Sequence, residues 1–343
     1  MLKSILFALS AVALGACTSM QAGGPSYPPP LGGPNIPLSA EDQVRQMGRG
    51  VNVLGYDPIW QDPARARFHE RHMGIIHDGG FQTIRINLQA FRHMDANNNL
   101  DPQWFATLDR MVNAALAAHL NVILDEHDYG VCGEDVAACR VKLGAFWMQV
   151  AAHYQNAPPA VMFELLNEPN HAMDTEWNSV LINMLATVRI TNPTRNVIIG
   201  PVFWNNINNL DQLQLPDGDR HIIVTVHYYL PMEFTHQGAP WVPEMTQLGV
   251  TWGSDADRAF LKNNFDRVKA WSDAHHRPIF LGEFGAYDKG PLDSRVAYTS
   301  AVAREAEAHG FAWAYWQFDS DFVVWNMDTD SWNAPIHDAL IPH

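Results

Sequence analysis

Two glutamates are distinguished by where they fall. Glu168 closes the run Val161-Met-Phe-Glu-Leu-Leu-Asn-Glu-Pro-Asn170, an apolar stretch of strand length that breaks off at Asn167, Glu168 and Pro169. Glu283 sits near the end of a second stretch of the same design, Pro278-Ile-Phe-Leu-Gly-Glu-Phe-Gly285. Apolar runs of this length read as strands buried on both faces, as in a parallel sheet. Pro169 cannot extend a ladder, so the first strand stops about there. The C-terminal ends of such strands are where barrels and open α/β sheets carry their chemistry. Two carboxylates delivered to one rim are what cleavage of a glycosidic bond requires.

Other polar residues fall at equivalent places. Arg85 lies inside Gln82-Thr-Ile-Arg-Ile-Asn-Leu88, and His127 ends Asn121-Val-Ile-Leu-Asp-Glu-His127. His227 and Tyr229 end His221-Ile-Ile-Val-Thr-Val-His-Tyr-Tyr229, and Trp316 lies in Phe311-Ala-Trp-Ala-Tyr-Trp-Gln-Phe318. Singly, each has an ordinary structural role: a satisfied core histidine, a packed tryptophan, an arginine paired with a structural carboxylate. As a set at the ends of six strands they are harder to dismiss. A buried charge without a partner costs several kcal/mol, and apolar residues would serve packing equally well.

The elements that must position these residues alternate along the chain. Strands are expected at 49–54, 82–88, 121–127, 161–166, 196–201, 221–229, 278–283 and 311–318. Helices are expected at 64–78, 102–119, 140–154, 176–190, 255–274, 292–309 and 332–340, with Asp101 as an N-cap, Pro102 at the first helical position and Gly310 as a stop. Eight strand units in alternation indicate a single-domain α/β fold, the (β/α)8 or TIM barrel; the runner-up is an open doubly wound sheet. No glycine-rich phosphate loop follows the first strand, which argues against a dinucleotide-binding sheet. The segment 230–253 reads as a long loop rich in Pro, Gly and aromatics, a length usually reserved for function.

The chain has 343 residues, 47% hydrophobic and 17% charged, with a formal net charge of -15. That balance argues against a nucleic-acid surface and gives no attraction to anionic lipid. A short basic start, an apolar stretch from Ser4 to Ala13 and the sequence Leu14-Gly-Ala-Cys17 resemble a bacterial lipoprotein signal, with Cys17 the lipidated residue; the alternative is an ordinary secretory signal. The expected organisation is therefore a signal over 1–17, a Gly/Pro/Ser-rich tether over 18–40 and a catalytic domain over 41–343. Export to the cell envelope makes a local disulfide between Cys132 and Cys139 plausible, the alternative being two free thiols.

The ordered set of residues resembles glycoside hydrolase family 5. The matching positions are Arg85, His127, Asn167-Glu168-Pro169, His227 and Tyr229, Glu283 in Leu-Gly-Glu-Phe-Gly, and Trp316 in Tyr-Trp-Gln-Phe. The resemblance implies a retaining hydrolase with Glu283 as nucleophile and Glu168 as acid/base. It puts Asn167 on the sugar 2-hydroxyl, His127 and His227 in the cleavage subsite and Trp316 against a sugar ring. It implies no metal or cofactor and a monomer acting on a polysaccharide, first a β-1,4-glucan, with mixed-linkage glucan, glucomannan or mannan as alternatives. Any membrane contact would run through the lipid at Cys17. Asp128 departs from the family, many members of which carry His or Asn there, and this loosens inference about sugar subsites. Trp204, Trp241, Trp252 and Trp325 are expected near the same rim, as sugar platforms or as packing residues. A barrel that binds glycan without cleaving it is the remaining alternative.

Overall fold

The computed structural model describes residues 36–342. The signal, most of the tether and Cys17 lie outside the described residues. Eight parallel strands close into a barrel in chain order: β1 (Arg49–Val53), β2 (Thr83–Leu88), β3 (Asn121–Glu126), β4 (Val161–Glu164), β5 (Val197–Ile199), β6 (Ile222–Tyr228), β7 (Ile279–Phe284) and β8 (Ala312–Tyr315). Closure is made by β8 pairing with β1 through Gly50↔Ala314. Helices pack outside, the longest being Pro102–Ala117, Val136–His153, Met173–Thr191, Asp255–His275 and Leu292–Ala308. Between β5 and β6 the crossover is a short turn, Val202–Asn205, and a 3-10 helix, Ile207–Gln212. The fold is the single-domain (β/α)8 barrel that the strand count implies.

The apolar residues divide into two layers. The larger lies between strands and helices. The smaller fills the lower barrel with Ile123, Met162, Ile198, Ile223, Phe280, Ala312 and Ala314, sealed from below by Ala40, Val44 and Met47. These last three belong to a helix, Ala40–Met47, whose N-cap Ser39 accepts from Asp42 N. That plug precedes the first element expected from sequence. Because side chains alternate along a strand, the residues two above this floor also face inward, and they are polar: Asp125 above Ile123, Glu164 above Met162.

Local departures from the sequence reading have identifiable causes. Only Arg71–Asp78 of the expected helix at 64–78 is α-helical. Its first part is drawn into a loop in which Asp57 accepts the backbone N–H groups of Ile59, Arg67 and Phe68. The expected loop near Cys132 contains a short helix, Tyr129–Glu134, and a bond joins Cys132 to Cys139. The long loop after β6 is stapled by buried Gln237, whose side chain donates to Phe234 O and Val250 O and accepts from Val250 N.

One irregularity in the sheet governs a site residue. Leu281 pairs with Val226 and Glu283 with His227, so Gly282 is an extra residue with no partner. Such a bulge inverts the alternation beyond it. Phe280 faces the barrel interior and Leu281 the helices, yet Glu283 faces in and Phe284 out. The inward carbonyl of Gly282 is met by Asn52 Nδ2 at 3.0 Å. A β-carbon at Gly282 would stand 2.6 Å from Thr225 Oγ1 and 3.0 Å from His227 Nε2. Gly282→Ala is therefore expected to lower stability by about 1–3 kcal/mol in urea unfolding. Gly130→Ala, in a helix with open space around it, is the control and should leave stability equal or slightly raised. Equal stability of the two variants would remove the bulge from this role.

Candidate active site

Arg85 is the hub of the polar layer. Its Nε donates to Glu164 Oε2 at 2.7 Å, and Nη2 donates to Glu164 Oε1 at 2.9 Å. Nη2 also donates to Asn167 Oδ1 at 2.7 Å. Nη1 donates to Asn52 Oδ1 at 2.9 Å and to Glu283 Oε1 at 2.8 Å. Every N–H of the guanidinium is used, and Asp125 Oδ2 stands 3.1 Å from Nη2 as a further counter-charge. Arg85 has no exposed surface, and only a planar five-donor cation can bind four elements at once in this way.

Above the hub the two glutamates face each other. Glu283 also accepts from Tyr229 Oη at 2.9 Å. Glu168 Oε1 lies 2.7 Å from His227 Nδ1, which is 3.6 Å from Glu283 Oε2. Donor atoms of Glu168, His227 and Glu283 all fall within 4.8 Å of one another. A divalent cation would fit that spacing only by displacing the bond between His227 and Glu168. Asn167 is fixed at both ends, Oδ1 by Arg85 and Nδ2 by His127 Nε2 at 3.4 Å. His127 Nδ1 meets Asp125 Oδ2 at 2.6 Å, which leaves Nε2 as the acceptor for Asn167. Trp316 lies parallel to the His127 ring, centroids 5.7 Å apart and planes 6° apart.

Burial dominates the acid–base behaviour. It pushes the Glu168 carboxyl up to about 7, against the opposing pull of His127 and Arg85. It also raises Glu283, where His227 and Arg85 act in the opposite direction. His127 and His227 are both driven down to about 4 by burial, so both imidazoles are neutral near pH 7. The fixed positive charge is then that of Arg85. Glu283 receives one of its N–H groups and the Tyr229 hydroxyl, whereas Glu168 receives one imidazole N–H. Hydrogen bonds to a carboxylate favour ionisation, so the donors favour a proton on Glu168 before Glu283.

All eight residues singled out for chemistry converge here. Asn52, Asn87, Asp125 and Glu164 complete the layer and were not anticipated. A signal for them existed: each is polar within an apolar strand, and Asp125 shares a face with His127 two residues on. Tyr56, edge-on to Trp316 at 6.3 Å, comes from a loop, and Tyr129, edge-on to His127 at 5.4 Å, opens the short helix Tyr129–Glu134; neither had such a signal. Asp128 has a local role, accepting from Phe91 N at 2.8 Å. Of the four loop tryptophans, Trp204 and Trp241 are 42% and 48% exposed, while Trp252 and Trp325 are packing residues at 6% and 5%.

Fold and site together define a (β/α)8 barrel with a two-carboxylate rim. The cellulase family model, glycosyl hydrolase family 5, matches residues 44–321, and the chain belongs to that family. Endoglucanase H of Acetivibrio thermocellus is 29% identical over 326 residues, covering 91% of this chain and 34% of the relative, so the chain spans about a third of that protein. Two structures of Thermotoga maritima Cel5A, each fully covered and with 88% of this chain, have TM-scores of 0.84. They are complexes with mannotriose at 33% identity and with cellobiose at 34%.

Replacing Arg85 by Met should cost about 3–5 kcal/mol in urea unfolding at pH 7, because buried carboxylates lose their cation. Arg85 lowers the pKa values of Asp125, Glu164 and Glu283. Its contribution is thus present where those groups are ionised and fades as pH falls and they take up protons. An Arg85→Met penalty as large at pH 4 as at pH 7 would contradict this account.

Proposed function

We propose that the protein is a retaining β-glycosidase that hydrolyses β-1,4-glucan, with Glu283 as nucleophile and Glu168 as acid/base. The supporting observation is the approach of the two carboxylates, with oxygens within 4.8 Å. Retaining pairs stand about 5–5.5 Å apart, and inverting pairs about 6.5–9.5 Å to admit a water between them. In the first step Glu283 attacks the anomeric carbon while Glu168 gives its proton to the departing glycosidic oxygen. A covalent glycosyl-enzyme and a Glu168 carboxylate result. In the second step Glu168 takes a proton from water, whose oxygen attacks the same carbon and releases Glu283. Asn167, held by Arg85 and His127, has an N–H to spare for the sugar 2-hydroxyl. His127 and His227 line the cleavage subsite, and Trp316 offers a flat apolar face to a sugar ring.

Exposed Trp204 and Trp241 suit a chain of rings beyond the cleavage point, which favours internal cleavage of a polymer. Glucan is the first reading of the substrate. A mannan or glucomannan reading is kept because a similar protein has been seen with both cellobiose and mannotriose.

The test is reducing-sugar release from carboxymethyl cellulose, barley β-glucan, glucomannan and galactomannan. Wild type should release sugar, with glucans ahead of galactomannan, and Glu283→Ala should release none while keeping its circular dichroism. The rate should fall in acid as Glu283 protonates, and fall again as pH rises through about 7 and Glu168 loses its proton. EDTA should change nothing. An active Glu283→Ala, or β-anomers inverted on release, would defeat the mechanism.

Export is part of the same reading, with Cys17 as the lipidated residue and the bonded pair Cys132–Cys139 suited to an oxidising compartment. The full chain made in a bacterium should partition into detergent, and Cys17→Ala should move it to the aqueous phase. Identical partitioning of the two would exclude the anchor.

A further inference from the structure

His227 stands between the two carboxylates, and its outer nitrogen is held by a residue carried on no strand. Beyond β5 the chain turns through Val202–Asn205, where Phe203 (φ 56°), Trp204 (φ 59°) and Asn205 (φ 54°) are all left-handed. Side chains with a β-carbon disfavour this region, and runs of this kind persist where their surroundings over-determine them. Here Trp204 N donates to Pro169 O at 3.1 Å, and Phe203 N donates to Asp174 Oδ1 at 2.8 Å. Pro169 directly follows Glu168, and Asp174 lies in the first turn of the helix Met173–Thr191 that comes after it. The turn sends the side chain of Asn205 fully inward, with Nδ2 3.2 Å from His227 Nε2. Room for that amide exists because residue 200 is glycine: a β-carbon there would overlap it.

We propose that Asn205 is a positioning residue that fixes His227 in the tautomer with its proton on Nδ1, and thereby aims the acid proton of Glu168 at the substrate. The proposal rests on the reading of Glu168 as acid/base. An amide NH2 can only donate, so His227 Nε2 accepts, and the neutral ring carries its proton on Nδ1. That N–H donates to Glu168 Oε1. A carboxyl group receiving a hydrogen bond at Oε1 carries its own proton on Oε2, the oxygen left for the glycosidic bond. In the opposite tautomer Nδ1 is a bare lone pair. Glu168 would then bond its proton to that nitrogen from Oε1, away from the bond to be cut. In the second half-reaction the same N–H steadies the carboxylate that receives the proton of water. The amide oxygen of Asn205, Oδ1, is buried and makes no hydrogen bond, so the amide serves no wider network.

The charged and titratable groups around His227 and Glu168 are Glu283 on β7, Arg85 on β2, Asp125 and His127 at β3, Glu164 on β4 and Tyr229 beyond β6, with Tyr56 from a loop and Tyr129 from the start of the helix Tyr129–Glu134. Substitution at Asn205 alters none of them directly. Asn205→Asp keeps the shape and reverses the contact, since a carboxylate can only accept. It puts the imidazole proton on Nε2 or makes the ring cationic.

The experiment compares wild type, Asn205→Asp and Asn205→Ala of the full chain across pH. One substrate is carboxymethyl cellulose, whose leaving group needs a proton; the other is 2,4-dinitrophenyl β-cellobioside, whose leaving group does not. Asn205→Asp is expected to lose about 100-fold in kcat/KM on the polymer, in the range of general-acid catalysis. On the aryl glycoside it should stay near the wild-type value. Its basic limb should leave the wild-type position, moving to lower pH where His227 is cationic and favours the Glu168 carboxylate, and to higher pH where the ring is neutral and its bare Nδ1 holds the Glu168 proton. Asn205→Ala should show the same split between substrates in weaker form, and it carries the test if the Asp variant does not fold. A wild-type pH profile in Asn205→Asp, or equal losses on both substrates in both variants, would overturn the proposal. A wild type inert on both substrates would overturn the hydrolase reading beneath it.

Discussion

The polar layer depends on one guanidinium. Arg85 is surrounded by Asp125, Glu164 and Glu283, and each of these would be costly to bury alone. Its five N–H groups reach β1, β4, the segment after β4 and β7. The same bonds that make a buried charge tolerable therefore also fix the distances between strands. Position and charge cannot be separated here: a residue that loosened Arg85 would alter both the place of Glu283 and its readiness to ionise. The apolar floor built on the Ala40–Met47 helix matters to this balance because it closes the barrel below the layer and leaves the rim as the way in for water.

Regular strands alone would not assemble this rim. Strict alternation would turn Glu283 toward the helices, and the extra residue Gly282 turns it inward. Glu168 (φ 43°) and His171 (φ 51°) lie in left-handed conformation, as do the three residues that bring Asn205 in from β5. These irregular backbone positions lie on the segments that hold Glu168 and Asn205 at the upper ends of β4 and β5. Rigid strands set the scale of the site, and local strain aims particular side chains within it.

How much of this was legible in the sequence follows from what each feature depends on. Strand runs such as Ile279–Phe284 are mostly apolar and bounded by helix signals, so the eight-strand count and the convergence of Glu168 and Glu283 could be read. Glu164 and Asp125 were visible as polar residues within those runs, but their partner Arg85 lies 79 residues from Glu164, and pairing over that span is a tertiary fact. Residues 64–70 read as the start of the helix expected at 64–78 because their composition suits one; Asp57 overrode that preference by capturing three backbone N–H groups. Asn205 gave no signal, because a left-handed turn through Phe203 and Trp204 contradicts the local preference of those residues.

The proton inventory of the site ties these threads together. One fixed cation faces three carboxylates in the layer and Glu168 just above, while both imidazoles are neutral near pH 7. Full ionisation of all four acids would leave several buried charges uncompensated, so some of them must retain protons. Hydrogen-bond donors decide which. Glu164 takes two N–H groups of Arg85, and Glu283 takes one together with the Tyr229 hydroxyl. Asp125 takes its donors, Asn87 and His127, on Oδ2 alone and leaves buried Oδ1 without a partner, Glu168 takes a single imidazole N–H, and burial brings each to about 7. Asp125 points down into the layer and bonds His127. Glu168 faces the cleft. The two facing glutamates thus differ in how readily each keeps a proton, a difference set by donor count and depth rather than by the side chains themselves.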